Sequence, residues 1–178
     1  MIIILEGANR CGKTTLAKNL LQMLDLEYFK DLTINTEKMS NAEIKLGFEF
    51  ALNGQANLLK ALDGPNRNII IDRFHMTEYV YGKMYRNYLS RGFDNVNEKL
   101  KDEAVIVYCK RKKNADIETT RLQTEFDELV KKSKIPVKEF DIATDSISEL
   151  LGWFYTQTTE KYAKPTLRME EGKCVIEK

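Results

Sequence analysis

The fold is decided by the stretch Gly7-Ala8-Asn9-Arg10-Cys11-Gly12-Lys13-Thr14. It satisfies the pattern G-x-x-x-x-G-K-[ST] in full. The apolar run Ile2–Leu5 before it is typical of a strand buried on both faces, and Thr14–Leu24 after it repeats leucine at helical spacing. Glycines let consecutive main-chain amides face one anion, and the start of a helix adds its dipole at the same point. The stretch therefore predicts a loop that binds the phosphates of a nucleotide.

Two side chains of this loop suit a bound polyphosphate. Lys13 supplies a mobile positive charge for the β- and γ-phosphates, and the Thr14 hydroxyl can ligate Mg²⁺. Further along, the apolar run Asn68–Ile71 is closed by Asp72. This carboxylate is expected beside the loop, where it can hold the water shell of the metal or orient an acceptor. Arg73 then places a cation where a second phosphate can bind, which favours a kinase that uses ATP and Mg²⁺ on a phosphorylated small molecule.

Apolar runs of strand length alternate with helical patterns along the chain. The predicted strands are Ile2–Leu5, Leu26–Phe29, Asn68–Ile71, Ala104–Tyr108 and Val137–Ile142. The predicted helices are Thr14–Leu24, Ala42–Leu62, Met76–Ser90, the part of the charged segment Lys110–Lys134 that follows Ile117, and one opened by the capping box Ser146-Ile147-Ser148-Glu149. The tail is predicted to hold an edge strand at Cys174–Ile176.

This alternation predicts an α/β protein with a three-layer α/β/α architecture and a five-stranded parallel sheet. Its length fits a single domain, residues 1–178, in which the segment at about 110–134 forms a short helical lid.

The composition excludes several classes of protein. The 178 residues carry 28 Lys and Arg against 27 Asp and Glu, which argues against nucleic acid as a partner held by bulk charge. No run is apolar for the length of a membrane helix, and the N-terminus lacks the basic leader and cleavage site of a signal peptide. The three cysteines are far apart and lack metal-ligand spacing. We expect a cytoplasmic protein with reduced thiols and no membrane partner.

Phosphate loops also occur in regulatory GTPases and motor ATPases. GTPases read guanine with Asn-Lys-x-Asp, and the sequence has neither this motif nor an Asp-x-x-Gly switch. A motor normally needs a longer chain. The missing GTPase motifs and the short chain both favour a kinase over a GTPase or a motor.

The motifs resemble those of the thymidylate kinase family. The segment from Glu6 to Thr15 is similar to the extended loop of that family, Glu-Gly-x-Asp-Arg-x-Gly-Lys-Ser/Thr-Thr. The segment Asp72–Thr77 resembles its Asp-Arg-Tyr-x-x-Ser motif, and Phe50–Asn53 resembles the helix segment whose Phe packs on the substrate base. The resemblance implies transfer from ATP to a pyrimidine deoxynucleoside monophosphate such as dTMP or dUMP, and it implies a homodimer.

The resemblance also implies roles for individual residues. Arg10 would neutralise the γ-phosphoryl group in the transition state, as an arginine finger does. Arg73 would bind the acceptor phosphate with Asp72 beside it, Phe50 would stack on the base, and Tyr81 would flank the sugar. The predicted catalytic set is Arg10, Lys13, Asp72 and Arg73, and the predicted metal ligands are Thr14 and Asp72. The predicted ATP-binding set is Gly7, Ala8, Asn9, Arg10, Cys11, Gly12, Lys13, Thr14, Thr15 and Arg111. The predicted acceptor-binding set is Asn9, Lys30, Phe50, Asn53, Arg73, Thr77 and Tyr81.

Two positions depart from the family pattern. The loop Asp that touches the sugar in the family is Asn9 here, which hydrogen-bonds but carries no charge. The arginine that reads the base is replaced by Gly54, and Gln55 and Asn57 are candidates to substitute for it. The base therefore stays open among thymine, uracil and a 5-substituted pyrimidine.

Other features have a structural interpretation beside the functional one. Arg111 and Arg121 lie in the lid segment, where they either close over phosphates or form a solvated helix face. The only histidine, His75, is predicted to be structural with its hydrogen bonds satisfied. Tyr85 and Tyr88 are predicted to be core residues. Cys11 lies at a helix N-terminus, which predicts a lowered thiol pKa and sensitivity to thiol reagents.

Three alternative functions stay open from the sequence. The first is a deoxynucleoside kinase, for which Asp31 could serve as the carboxylate base. The second is a nucleotide-binding regulatory module without turnover. The third is a kinase acting on nucleic-acid ends, which the near-neutral charge disfavours.

Overall fold

The computed structural model describes residues 1–30, 39–62, 68–113, 115–158, 166–170 and 173–177. The strands are β1 (Ile2–Glu6), β2 (Glu27–Lys30), β3 (Ile69–Asp72), β4 (Ala104–Cys109), β5 (Val137–Phe140), β6 (Thr166–Glu170) and β7 (Lys173–Glu177). The helices are α1 (Lys13–Met23), α2 (Asn41–Leu62), α3 (His75–Tyr85), α4 (Gly92–Leu100), α5 (Ile117–Lys132) and α6 (Ile147–Thr158).

Five strands form a parallel sheet in the order β2-β3-β1-β4-β5. The predicted α/β architecture with a five-stranded parallel sheet is confirmed. Strand β1 lies at the centre, and its register sets Leu5 opposite Asp72 and Glu6 opposite Tyr108. The loop that follows β1 and the residues that follow β3 therefore leave the sheet side by side at its carboxyl edge, where α/β sheets bind their ligands.

Burial explains the composition of the strands. Every residue of β1, β3 and β4 is buried, and these strands are rich in isoleucine and valine. Such continuous apolar runs are typical of parallel strands covered by helices on both faces. Helix α1 packs against β1 to β3, and α4 packs against both α2 and α3, so helices cover the sheet.

The region between β3 and β4 differs from the prediction of one helix over Met76–Ser90. Helix α3 ends at Tyr85, and Asn87 has φ 52°, a left-handed conformation that a continuing helix cannot contain. A separate helix, α4, follows at Gly92–Leu100 and buries Phe93, Val96, Asn97 and Leu100. The core prediction was correct for Tyr88, which is buried. It was wrong for Tyr85, which is 53% exposed and donates to Glu118 Oε1 over 2.7 Å.

Helix α5 occupies the predicted lid segment but belongs to the packed body of the domain. It buries Leu122, Gln123, Phe126 and Leu129, and Phe126 stacks on Tyr108 with ring centroids 5.7 Å apart. The lid role of the segment at about 110–134 stays a prediction.

The tail also differs from a single edge strand. Strands β6 and β7 pair antiparallel as a separate two-stranded sheet, with Arg168 opposite Val175. The predicted strand at Cys174–Ile176 lies within β7. No helix among the described residues is long and apolar enough to cross a lipid bilayer.

Candidate phosphate-binding site

The loop between β1 and α1 adopts a conformation that requires glycine at both ends. Gly7 has φ 134° and Gly12 has φ 84°. A Cβ atom on Gly7 would lie 2.2 Å from the carbonyl oxygen of Cys109, and one on Gly12 would lie 2.5 Å from Cγ2 of Ile142. Because Cys109 and Ile142 lie this close to the loop, a side chain at position 7 or 12 would clash with them. Helix α1 begins at Lys13, so its unpaired main-chain amides open onto the loop.

The Lys13 ammonium group lies inside the loop. Lys13 is buried, and its Nζ donates to the carbonyl oxygens of Gly7 over 2.8 Å and of Ala8 over 2.5 Å. Burial first, and the nearby Arg73 guanidinium second, lower the pKa of Lys13. The buried ammonium group and the partly exposed guanidinium therefore repel each other, and an anion between them would relieve this repulsion.

A pair of oxygen ligands lies next to the loop. The Thr14 hydroxyl donates to Asp72 Oδ2 over 2.8 Å, and the Tyr28 hydroxyl donates to the same oxygen over 3.2 Å. The second oxygen, Asp72 Oδ1, is buried, and no described residue hydrogen-bonds to it. Hydroxyl and carboxylate oxygens are the ligands that Mg²⁺ prefers, usually one or two from the protein with the rest from phosphates and water. The predicted ligands Thr14 and Asp72 therefore lie together and fit this ion.

Arg73 lies across the loop from Lys13 in an unusual backbone conformation. Its φ is 78°, and its main-chain amide donates to the Leu5 carbonyl over 2.9 Å. Its Nη2 donates to Asn9 Oδ1 over 2.6 Å, and its guanidinium lies 6.0 Å from the ring centroid of Tyr81. The Tyr81 hydroxyl in turn accepts from the Asn9 main-chain amide over 3.1 Å. Asn9, Arg73 and Tyr81 thus form one cluster, in which no carboxylate of the described residues takes part.

Glu6, the last residue of β1, is a member of the site to which sequence reasoning gave no role. Its carboxylate accepts from the main-chain amides of Met76 over 2.8 Å and Thr77 over 3.0 Å, and from the Thr77 hydroxyl over 2.5 Å. Burial raises the pKa of Glu6 to about 7 against the opposing effect of these hydrogen bonds. Thr77, predicted to bind the acceptor, is buried with its hydroxyl committed to Glu6. No local signal reveals this arrangement, because the partners are about 70 positions apart.

His75 is buried beside Glu6, as a structural residue should be, but its hydrogen bonds are not satisfied. It packs between Phe74 and Phe93, and no described residue hydrogen-bonds to either ring nitrogen. Burial lowers the pKa of His75 to about 3, so the imidazole is neutral at neutral pH. The 3.8 Å between its Nδ1 and Glu6 Oε1 is therefore not an ion pair.

The opposite side of the loop is held by Gln123 of α5, which the sequence did not single out. Gln123 Oε1 accepts from the main-chain amide of Arg111 over 2.9 Å, and Nε2 donates to its carbonyl over 3.2 Å. Cys11 Sγ lies 3.7 Å from the same Oε1. Cys11 is 2% exposed, and burial raises its pKa, so the prediction of a lowered thiol pKa was wrong.

The two predicted ATP-side arginines lie near the start of α5. Asp116 caps this helix by accepting from the Thr119 amide over 2.6 Å. These hydrogen bonds lower the pKa of Asp116, and the charges of Arg10 and Arg111 lower it further. Arg10 and Arg111 therefore share one side of the loop. The hydrogen bond to Glu118 raises the pKa of Tyr85, and the nearby charge of Arg121 opposes this effect. The lid role considered for Arg121 stays a prediction.

For the remaining residues of the predicted acceptor set, the described part of the structure gives no contact with the cluster of Asn9, Arg73 and Tyr81. Phe50 is 80% exposed on α2, two positions from the buried Leu52. Asn53 donates to the Glu49 carbonyl over 2.9 Å and accepts from Asn95. Lys30 lies opposite Asp72 in the sheet, and its side chain and the whole of Asp31 fall outside what the structure describes. The roles of Phe50, Asn53 and Lys30 stay predictions.

The sheet order, the glycine-bounded loop after the central strand and the Lys13 position together define the fold of P-loop nucleotide kinases. Solved structures support this class. The YorR protein of Bacillus subtilis, in complex with phosphorylated GDP, matches with a TM-score of 0.64 at 23% identity over 91% of this chain and 99% of that chain. Deoxyadenosine kinase from M. mycoides, with the products dCMP and dCDP, matches with 0.56 at 17% identity over 89% of this chain and 100% of that chain. Thymidylate kinase from Ehrlichia chaffeensis matches with 0.55 at 15% identity over 85% and 98%.

Sequence comparison gives a partial match only. No family model matches the chain. The SPbeta prophage-derived uncharacterized protein YorR of Bacillus subtilis (strain 168) is 31% identical over 110 residues, which are 60% of this chain. The matched part spans 59% of the length of that relative. The comparisons therefore show the P-loop nucleotide-kinase fold and leave the substrate to be inferred from the site.

Proposed function

We propose that this protein transfers the γ-phosphoryl group of ATP to the phosphate of a pyrimidine deoxynucleoside monophosphate such as dTMP or dUMP. The observation that carries the proposal is the pair of cations formed by Lys13 and Arg73. Each is held by neutral groups, Lys13 by carbonyl oxygens and Arg73 by the Asn9 amide and the Tyr81 ring. A donor phosphate beside Lys13 and an acceptor phosphate beside Arg73 would balance both charges.

The reaction requires positioning and charge neutralisation more than acid–base chemistry. An oxygen of the acceptor phosphate attacks the γ-phosphorus and forms the new P–O bond, while the bond from the γ-phosphorus to the bridging oxygen breaks and ADP leaves. The acceptor is already anionic near neutral pH, so no general base is needed. The main-chain amides at the start of α1, with Lys13 and Arg10, would hold the donor, and Arg73 would hold the acceptor in line with it.

Thr14 and Asp72 would hold Mg²⁺ through the hydroxyl oxygen and the buried carboxylate. When bound, this ion neutralises charge on the β- and γ-phosphates. The described residues contain no group of three or more His, Cys, Asp or Glu side chains arranged for a metal. Mg²⁺ does not need such a group, because it commonly takes most of its ligands from substrate phosphates and water.

A deoxynucleoside kinase is kept as the second candidate by one observation. The match to deoxyadenosine kinase has a TM-score of 0.56 and the match to thymidylate kinase has 0.55, so the fold does not separate the two reactions. The YorR complex with phosphorylated GDP adds guanine nucleotides to the substrates that need testing, both as donors and as acceptors. Dimerisation, implied by the family resemblance, belongs to this proposal as well.

The test is ADP release with Mg·ATP over a panel of acceptors: dTMP, dUMP, dCMP, dGMP, the matching nucleosides and an oligonucleotide, with GTP as a second donor. Release that depends on dTMP or dUMP supports the proposal. Release with nucleosides but not with monophosphates would establish the second candidate instead.

Arg73→Ala provides the residue-level check of the acceptor site. Loss of a charge-assisted contact to phosphate should raise the KM for the monophosphate by about tenfold to a hundredfold. The dissociation constant for ATP should change little, because Lys13 and the loop amides remain. An unchanged KM for the monophosphate would show that Arg73 does not bind the acceptor.

A further inference from the structure

Glu6 connects the phosphate loop to the segment that carries Arg73. It ends β1 and directly precedes Gly7, while its carboxylate reaches the first turn of α3. Both carboxylate oxygens are used: Oε1 accepts from the Met76 amide, and Oε2 accepts from the amide and the hydroxyl of Thr77. Burial of a carboxylate costs free energy, but three hydrogen-bond donors then hold the buried group firmly.

These bonds replace an ordinary helix cap. The residue before α3 is Phe74, whose side chain makes no capping hydrogen bond. The first main-chain amides of a helix have no partner within the helix, and a negative charge is favourable at this end. Glu6 supplies the acceptor oxygens, and a charge when it is ionised, from a different element, so the start of α3 is fixed relative to the phosphate loop.

Arg73 is itself one of the two points at which β1 holds this segment, and the other follows three residues later. On one side the Arg73 amide donates to the Leu5 carbonyl over 2.9 Å, and on the other Glu6 holds Met76 and Thr77. Its φ of 78° is one that residues other than glycine rarely adopt, and such conformations persist only when the surroundings enforce them. The two attachments to consecutive residues of β1 provide this enforcement.

We propose that Glu6 is a positioning residue that acts through the first turn of α3 to hold Arg73 in the conformation that directs its guanidinium to the acceptor anion. The inference rests on the proposed kinase function and deepens it. Glu6 touches neither substrate. It sets the distance between the loop that binds the donor and the arginine that binds the acceptor.

The test compares Glu6→Gln with the matched control Glu78→Gln. Glutamine keeps the size of the side chain but turns one acceptor into a donor, which then faces a main-chain amide. Glu78 is a second buried carboxylate and lies in the first turn of α3, but it accepts from Arg86 just beyond the other end of the helix, with distances of 2.8 and 2.7 Å. The same substitution there removes a buried charge and leaves the hydrogen bonds of Glu6 to Met76 and Thr77 in place.

Glu6→Gln should raise the KM for the monophosphate by about tenfold and lower kcat, with the dissociation constant for ATP changed less than about twofold. Glu78→Gln should leave the KM for the monophosphate unchanged. A purely structural role for Glu6 predicts a lower melting temperature with normal kinetics in the fraction that stays folded. A KM for the monophosphate within about twofold of wild type would overturn the proposal.

Two further measurements keep the proposal testable. If Glu6→Gln does not fold, Thr77→Val removes only the hydroxyl bond and should raise the same KM by about threefold, and Thr77→Ser should restore it. If the wild-type protein phosphorylates no acceptor, the proposed function fails by itself. Hydrogen exchange then decides on Glu6: the Met76 and Thr77 amides should exchange about tenfold or more faster in Glu6→Gln than in Glu78→Gln, and equal rates would contradict the positioning role.

Discussion

At the residue scale, the two buried titratable groups Glu6 and His75 should have opposite effects on stability. Burial raises the pKa of Glu6 from 4.5 to about 7, so the folded state holds that proton more tightly and stability falls as the pH rises from 4.5 to 7. Burial lowers the pKa of His75 from 6.5 to about 3, so stability falls as the pH falls below 6.5. Between pH 4.5 and 6.5 the two slopes, each about 1.4 kcal/mol per pH unit, should nearly cancel.

His75→Phe separates the two effects and keeps an aromatic ring beside Phe93. The difference in the free energy of unfolding between this variant and wild type should grow by about 1.4 kcal/mol for each pH unit below 6.5, in favour of the variant. Urea denaturation at several pH values between 4.5 and 7 measures it. A difference that does not change with pH would mean that His75 titrates normally in the folded protein.

Whether a residue of the site could be predicted depends on how far away its contact partners lie in the sequence. Gly7, Gly12, Lys13 and Thr14 could be predicted because one short motif contains the whole geometry of the loop. The contacts of Glu6 and Tyr28 could not be predicted, because they join positions about 70 and 44 apart in sequence. A buried carboxylate that caps another element also leaves no pattern, since its partners are main-chain amides of any residue type.

At the scale of single elements, α5 shows how a cap contributes to the site. Asp116 accepts from the Thr119 amide over 2.6 Å and also lies near Arg10 and Arg111. Asp116→Ala should lower the free energy of unfolding, whereas Asp116→Asn should lower it much less, because asparagine caps nearly as well. Chemical denaturation of the three proteins measures both values. Equal losses in the two variants would assign the effect to the charge and not to the cap.

Helices and strands were predictable where apolar spacing alone determines them. The buried strands β1, β3 and β4 and the helix α1 agree with their sequence patterns to within one or two residues. The predicted helix Met76–Ser90 is confirmed as far as Tyr85, but it ends there, before the left-handed Asn87, a conformation that propensity does not reveal. Helix α4 was missed although Phe93, Val96 and Leu100 repeat at helical spacing, because Gly92 at its start resembles a turn.

At the scale of the whole molecule, the fold specifies the donor side of the chemistry better than the acceptor side. The loop directly follows the central strand β1, which pairs with both β3 and β4 and is buried along its whole length. The proposed acceptor side depends on single side chains such as Asn9, Arg73 and Tyr81, which can change without altering the sheet. This explains why enzymes with different acceptors match the fold with similar TM-scores of 0.55 and 0.56.

Because the loop has its binding geometry only in the folded protein, an anion bound there should stabilise the folded state. Inorganic tripolyphosphate at about one hundred times its dissociation constant should add about 2.7 kcal/mol to the free energy of unfolding. For a domain of this size, this corresponds to a rise in melting temperature of about 5–10 °C. Lys13→Ala should lose most of the rise, since it removes the cation inside the loop. Lys99→Ala should keep it, because Lys99 bonds to Asn57 on the outer surface. A rise of the same size in Lys13→Ala and wild type would place the anion elsewhere, since only binding at the loop requires this ammonium group.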